Sequence, residues 1–297
     1  MRFRPSKRIG LFVGLLIIGT VLAVGGYLWS SLRHQSMGLG LFLMALLFGL
    51  SLVLLLLWCY WYLELVTLRY GLDRNNLRVE WISGSDTIPL AAIDSVSWGT
   101  DFKIARGLQG IGWPGYMKGS LLLSDGSEML THSTEPLERQ IVVTAGTLRY
   151  GISPKDTEGF MVALNRHRAL GAVRTESFRR DRSAWLRFAV WRGRLYWTLL
   201  GLGLLLNLAL IGWVMHRYSG LPARIPLHFD AAGQADRIAD KAWLFILPGI
   251  GLLVAAVNSL LGVLLYGRER VAAYLLGIAS LATQVVLWLA TYEILMR

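Results

Sequence analysis

His228 and Asp230 stand two apart in the stretch LPARIPLHFDAAGQADR, residues 221–237, and Asp236 follows shortly after. An imidazole beside carboxylates is the chemistry of a metal site or of proton transfer. On an extended strand His228 and Asp230 would point to one side. A metal site needs a third and fourth ligand, and His216 and Asp236 are the only candidates nearby. Pairing of His228 and the aspartates with the segment's own arginines is the commoner outcome. Nowhere in the chain do nucleophile, base and orienting group fall at a recognisable spacing. No catalytic, cofactor-binding or metal-ligating residue is therefore assigned, and no enzyme is expected. Pro222, Pro226, His228, Phe229, Asp230, Gly233 and Asp236 remain as candidates for recognition. A membrane-embedded metal-dependent enzyme or transporter using His228, Asp230 and Asp236 is the alternative.

A second motif is GIGWPG, a literal GxGxxG at Gly110, Gly112 and Gly115. A dinucleotide site needs such a loop to follow a strand and to open a helix whose amino end holds the pyrophosphate. Here Pro114 interrupts the motif and the next regular run reads as a strand. The segment is expected to be a flexible loop with Trp113 and Tyr116 at its tip. Lys103, Arg106 and Lys118 make it basic, which suits contact with a membrane surface or a partner. Cys59 is the single cysteine, so no disulfide forms within the chain.

These groups are embedded in an apolar chain. The 297 residues are 54% hydrophobic and 16% charged, with mean hydropathy +0.48. Soluble domains are less apolar and more charged. Five stretches are long enough to cross a bilayer as helices: 9–32, 37–63, 195–215, 242–266 and 271–296. None carries Lys or Arg near its middle, where either costs about 2.5–3.5 kcal/mol. The first run is too long for a signal peptide and is read as a retained anchor. Asn207 and Asn258 lie deep in the later spans and are expected to bond between helices. Gly10 and Gly14 form one GxxxG.

The net charge of +11 is explained by topology rather than by nucleic acid. Arg2, Arg4, Lys7 and Arg8 precede the first span; Arg174, Arg179, Arg180, Arg182, Arg187, Arg192 and Arg194 precede the third; Arg268 and Arg270 fill the last turn. Five spans put these clusters on one side, which the positive-inside rule makes cytoplasmic. The amino terminus is then inside the cytoplasmic membrane, and the carboxyl terminus and the 216–241 loop are outside. The basic, aromatic segment 171–194 reads as a juxtamembrane linker. As a helix it would lie along an anionic leaflet. Trp113, Tyr116, Lys118, Arg179, Arg180, Arg182 and Arg187 are the candidate membrane-surface or partner contacts.

Between the second and third spans the texture changes. VTLRYGL, NLRVEWI, DTIPL, IDSVSW, SLLLS, EMLTHST, IVVTA and LRYGIS alternate as strands, and Asp125-Gly126 marks a hairpin. SPKDTEGFMVALNRHRAL reads as a helix capped by Ser153, with Pro154, Asp156 and Glu158 in its first turn. Phe160, Met161, Leu164 and Leu170 make its apolar stripe. The insert is expected to be seven or eight antiparallel strands closed by one helix.

YGLDRNNLRVEWISGSDTIPLAAIDSVS resembles the opening of bacterial pleckstrin-homology (PH)-like domains, and GWPGYMKGSLLL and YGISPKDTEGFMVAL resemble their middle and end. The resemblance covers 64–170. It implies that Ile88, Leu90, Ile93 and Val96 fill a core and that Pro114, Gly115 and Gly119 shape a turn. LPARIPLHFDAAGQADRIADKAWLFILPGIGLL is similar to a bacterial membrane module with the pattern LP..IP.HF...G..D....K. That module occurs in the immunity protein against a sporulation-delaying toxin. Leu221, Pro222, Ile225, Pro226, His228, Phe229, Gly233, Asp236 and Lys241 carry the match, and Asp230 stands where asparagine is frequent. The domain that follows in the immunity protein is not evident, so toxin immunity is not implied.

The expectation is an α+β membrane protein. A transmembrane helix pair (1–63) leads to a cytoplasmic PH-like β-sandwich or barrel closed by a C-terminal helix (64–170). A basic linker (171–194) and a three-helix module with its outer loop (195–297) follow. It is read as a non-enzymatic interaction or assembly protein. Candidate partners are anionic lipid headgroups, another membrane or cytoplasmic protein, and a second copy of the chain.

Overall fold

A computed structural model describes residues 1–171, 177–183, 188–229 and 234–296, with backbone only at His228 and Phe229. Two compact units emerge. One is Met1–Val24 with Ser51–Ser183, and the other is Gly25–Leu50 with Ala184–Arg297.

The first unit begins with a short strand, β1 (Arg2–Phe3), followed by α1 (Arg8–Leu32) and α2 (Leu39–Thr67), each of which extends into the second unit. Strands β2 (Arg69–Leu72), β3 (Asn76–Trp81) and β4 (Gly84–Pro89) follow as antiparallel neighbours. Then come β5 (Ser95–Trp98), β6 (Ile104–Trp113), β7 (Tyr116–Leu123), β8 (Glu128–Ser133), β9 (Ile141–Ala145) and β10 (Leu148–Ile152), α3 (Thr157–Ala169), and β11 (Arg179–Arg182). They make two open sheets, ordered β1-β2-β3-β4-β11 and β5-β9-β10-β8-β7-β6. The expected barrel is not closed, because neither sheet pairs its last strand with its first. One neighbour pair is parallel, β8 with β10 (Leu130 opposite Tyr150), where all-antiparallel pairing was expected.

Alternation explains which side chains enter the core. Leu77, Val79 and Trp81 of β3 are buried while Arg78 is exposed. Tyr70, Ile88, Val143, Tyr150 and Ile152 complete the apolar layer, and α3 lays Phe160 and Leu164 on it. The expected core residues Ile88, Leu90 and Ile93 are buried and Val96 packs against them. Leu170 is exposed and lies outside the apolar stripe of α3. The cap also shifts: Asp156 accepts from the Gly159 amide at 2.9 Å, while Ser153 is drawn into a buried cluster with Tyr70 and Thr134.

Three segments depart from the sequence reading. The GIGWPG stretch is no flexible loop but the end of β6 and a tight turn into β7, with Gly110 opposite Gly119. No helix follows it, so the dinucleotide geometry is absent here. The amino-terminal residues, read only as topogenic charge, pair with β2 (Phe3 opposite Tyr70), and the Lys155 amide donates to the Arg4 carbonyl at 3.0 Å. The basic linker returns as β11 on the edge of β4, with Arg180 opposite Asp86.

Within this unit the GxxxG of α1 serves a contact inside the chain. Gly10 abuts Leu65 and Gly14 abuts the Tyr62 ring, so side chains at either would collide with α2. Gly10 also meets Gly115 at the β6–β7 turn, where a Cβ on Gly115 would come within 2.3 Å of the Gly10 nitrogen.

The second unit carries α4 (Arg194–Tyr218), a hairpin of β12 (Arg224–Phe229) and β13 (Ala235–Asp240), then α5 (Ile246–Leu265) and α6 (Arg270–Met296). Among the described residues five helices, with α5 extended back to Lys241, are long and apolar enough to span a bilayer. Polar side chains in their interiors bond between helices, as expected for Asn207 and Asn258. Asn207 Nδ2 donates to the Pro248 carbonyl at 3.1 Å and to Gln284 Oε1 at 3.0 Å, and Gln284 Nε2 donates to the Gly251 carbonyl at 3.0 Å. Asn258 Nδ2 reaches Ser280 Oγ at 3.1 Å. Gln284 is the member that the sequence reading missed.

Gly115 sits at φ +84° against Gly10, whereas Gly126 sits at φ +81° with open space around it. Gly115→Ala is expected to add a collision to a backbone strain of about 1–2 kcal/mol, and Gly126→Ala only the strain. Melting of the two variants in detergent checks this, with the larger drop at Gly115→Ala.

Candidate functional site

Among the described residues a densely wired polar site lies where α2 ends on the first unit. α2 is apolar for most of its length, then places Glu64 in its last turn. That carboxylate is 2% exposed. A buried lone carboxylate would be costly, so the surrounding strands supply its partners. Lys118 of β7 reaches Glu64 Oε2 at 2.5 Å. Tyr60 donates to Oε1 at 2.9 Å, and the Ser83 hydroxyl donates to the same oxygen. Ser83 in turn accepts from Trp81 Nε1 at 2.9 Å.

Trp81 links this pair to a second one. His132 stacks on its ring at 4.3 Å, and the cations of Lys118 and Arg182 each lie 4.9 Å from its centroid. Arg182, brought in by β11, holds the buried Asp86 at 2.9 Å. Two acid–base pairs thus share one indole. Burial lowers the Lys118 pKa, with Glu64 acting against it. Burial and the nearby Lys118, Arg182 and Arg180 push His132 down to about 3. The Tyr116 phenol is driven up by burial and by Glu64. The groups neutralise one another. The arrangement is fitted for clamping rather than for proton transfer to a substrate.

The β6–β7 turn completes the junction. Trp113 is 8% exposed, and its Nε1 donates to the Gly10 carbonyl at 3.0 Å. Its ring lies 5.3 Å from Trp58 of α2 and 4.6 Å from the buried Tyr116. Trp113 and Tyr116 are therefore not a free tip for a membrane surface or a partner, because the chain's own helix pair covers them. Lys118 and Arg182 are likewise engaged internally. Arg179 is exposed and pairs with Asp181 at 2.8 Å, and Arg180 is exposed. Arg187 lies outside the described residues.

The other candidate region is the β12–β13 hairpin, read from the sequence as a bent loop. Pro222 is exposed and Pro226 half-buried in β12. Backbone pairing sets His228 opposite Arg237, with register shifts on both sides of His228. Asp236 is exposed on β13, while Asp230 and Gly233 lie outside the described residues. Among the described residues, no group of three His, Cys, Asp or Glu is placed to hold a metal. The base of the hairpin is tied to α4: Lys241 Nζ donates to the carbonyls of Tyr218 and Leu221, both at 3.1 Å. Ile225 is buried with Val214 and Leu244. Three positions of the LP..IP.HF...G..D....K pattern, Leu221, Ile225 and Lys241, thus have structural work.

Comparison with known proteins agrees with both resemblances. Residues 68–168 match the family described as Bacterial PH domain. Residues 204–252 match a domain of unknown function, DUF1648, that takes in most of α4, the hairpin and the start of α5. No curated protein and no solved structure matches the chain.

Removing one partner of a buried pair leaves the other charge uncompensated, at a cost of about 3–5 kcal/mol. Glu64→Leu or Lys118→Met alone is expected to lower the melting midpoint strongly, and the double variant to recover most of the loss. A double-mutant cycle reads the coupling. His132 gives a pH signature. Its ordinary pKa of 6.5 falls to about 3 in the fold. The unfolded chain therefore takes up a proton that the folded chain refuses. The contribution of His132 to stability is full well above pH 6.5 and is lost as pH drops towards 3, with a slope approaching about 1.4 kcal/mol per unit. Denaturation at stepped pH should show that slope, and His132→Phe should flatten it.

Proposed function

We propose that this chain is a non-enzymatic membrane protein whose PH domain is an interaction or assembly platform on the cytoplasmic side, for a protein or lipid surface. Its hairpin recognises a ligand at the outer face of the cytoplasmic membrane. The observation that carries the reading is the junction at Glu64. The buried Glu64 carboxylate is spent on fixing the PH domain to its own helix pair through Lys118, so the domain cannot swing freely on a tether. Its remaining faces are held at a set distance from the bilayer, as a platform requires. The six-stranded sheet ends on β5, an edge strand with Trp98 51% exposed. Edge strands and exposed aromatics are surfaces that take partners. The orientation rests on basic residues at the starts of the helices: Arg2, Arg4, Lys7 and Arg8 for α1, Arg192 and Arg194 for α4, and Arg268 and Arg270 for α6.

Topology is checked by single cysteines in a Cys59→Ala background. An impermeant maleimide on intact cells should label Ala235→Cys on the hairpin and spare Ser127→Cys in the PH domain until the membrane is opened. The reverse pattern would overturn the orientation. A photo-crosslinking residue in place of Trp98 should capture one reproducible adduct in living cells, while the same residue at the exposed Arg74 should not. No adduct at Trp98 counts against the platform.

A further inference from the structure

The amino-terminal residues, the end of α2 and strands β2 and β3 enclose a cleft of about 630 Å³. Arg4, Lys7 and Arg69 line it, against one carboxylate, Glu80. Glu80 is bound to Arg69 at 2.6 Å, which leaves two cationic charges in excess of pairing. The cations come from two separated parts of the chain, Arg4 and Lys7 from the amino terminus and Arg69 from the start of β2. β1 pairing and the Pro5–Pro154 bridge hold the backbone on both sides of Arg4, and Lys7 Nζ donates to the Val66 carbonyl at 2.6 Å. Arg69 opens β2 directly after the helix. The crowding shows in Lys7, whose pKa falls to about 8 through burial and then through Arg4 and Arg69. The unmatched positive charge calls for an anion.

The cleft also has an apolar side, with Val66 43% and Ile82 50% exposed on its lining. It lies where α1 begins and α2 ends, at the mouth of two membrane spans. Positive charge beside exposed aliphatic groups at that level matches the junction of a lipid headgroup and its acyl chains.

We propose that this cleft binds the phosphate of an anionic membrane phospholipid. Arg4, Lys7 and Arg69 surround the phosphate, and Val66 and Ile82 lie against the glycerol and upper acyl chain. An anionic headgroup is selected over a zwitterionic one, because the choline of the latter would meet the same cations. The site rests on the platform reading only in taking α1 and α2 as spans. Lipid retention does not depend on which side the PH domain faces, so its failure is separable from that of the labelling experiment.

The test uses the full chain in bilayer discs of equal phosphatidylglycerol and phosphatidylcholine, extracted gently and weighed intact by native mass spectrometry. Phosphatidylglycerol should be retained about tenfold over phosphatidylcholine, a difference of about 1.4 kcal/mol. Arg4→Gln/Lys7→Gln/Arg69→Gln should return the ratio to that of the disc. Arg74→Gln/Arg106→Gln/Arg166→Gln, which removes as many exposed charges elsewhere, should leave it unchanged. Should the first triple variant fail to fold, Ile82→Glu places a carboxylate at the half-exposed rim and should abolish the preference alone. An unbiased ratio in the native chain, or a preference that survives both changes, overturns the proposal. So does full displacement by millimolar inorganic phosphate, which would assign the cleft to a soluble anion.

Discussion

A carboxylate at the end of an oily helix must find a partner or lose its charge, and the first unit is organised around that requirement. Glu64 is removed from water by the strands that meet α2, and Lys118 supplies the matching cation at 2.5 Å. Desolvating both groups is unfavourable, and the pair repays this only when its geometry and remaining hydrogen bonds are complete. Tyr60, Ser83 and Trp81 supply the completion. The pair therefore specifies one seat of the strands on the helix rather than simply adding stability. Trp113 and Gly115 settle the same seat from the other side of the turn, on Gly10. A helix pair and a PH domain that read as successive modules become one body, with β1 stitched into its sheet.

Polar groups play a comparable part in the second unit. Asn207, Gln284 and the Pro248 and Gly251 carbonyls join α4, α5 and α6 in a bilayer-depth network. Apolar packing between helices in lipid has no water to escape, so such bonds and close small-residue contacts set the arrangement. The β12–β13 hairpin is founded on this bundle through Lys241 and Ile225, which leaves β13 exposed for contact.

How much of this is legible in the residues depends on the range of the cause. The five spans follow from apolar length, and strands β2 to β5 and β7 to β10 from alternation, because both are local. β6 escapes because Gly107, Gly110 and Gly112 erase its alternation. β1 and β11 escape because they are short and charged, and become strands only through pairing with distant partners. The same reason hides the junction: Glu64 and Lys118 are 54 residues apart, and nothing near either names the other. Glu64 itself was the available signal, an acid inside the final turn of an otherwise apolar helix. Trp113 and Tyr116 look like a free aromatic tip until the turn is seen to end on α1. The PH domain and the hairpin-bearing module were readable from their motifs, whereas the cationic cleft of Arg4, Lys7 and Arg69 was not, since its walls come from three separated segments.

Hydrogen exchange on the full chain in bilayer discs tests the seating of the PH domain most directly. If the β6–β7 turn is clamped on α1, the amides of residues 112–118 other than Pro114 exchange only with the opening that also releases β3, at matching rates. Rapid exchange of that turn while β3 stays protected would contradict the clamp, and would return Trp113 and Tyr116 to a mobile surface tip.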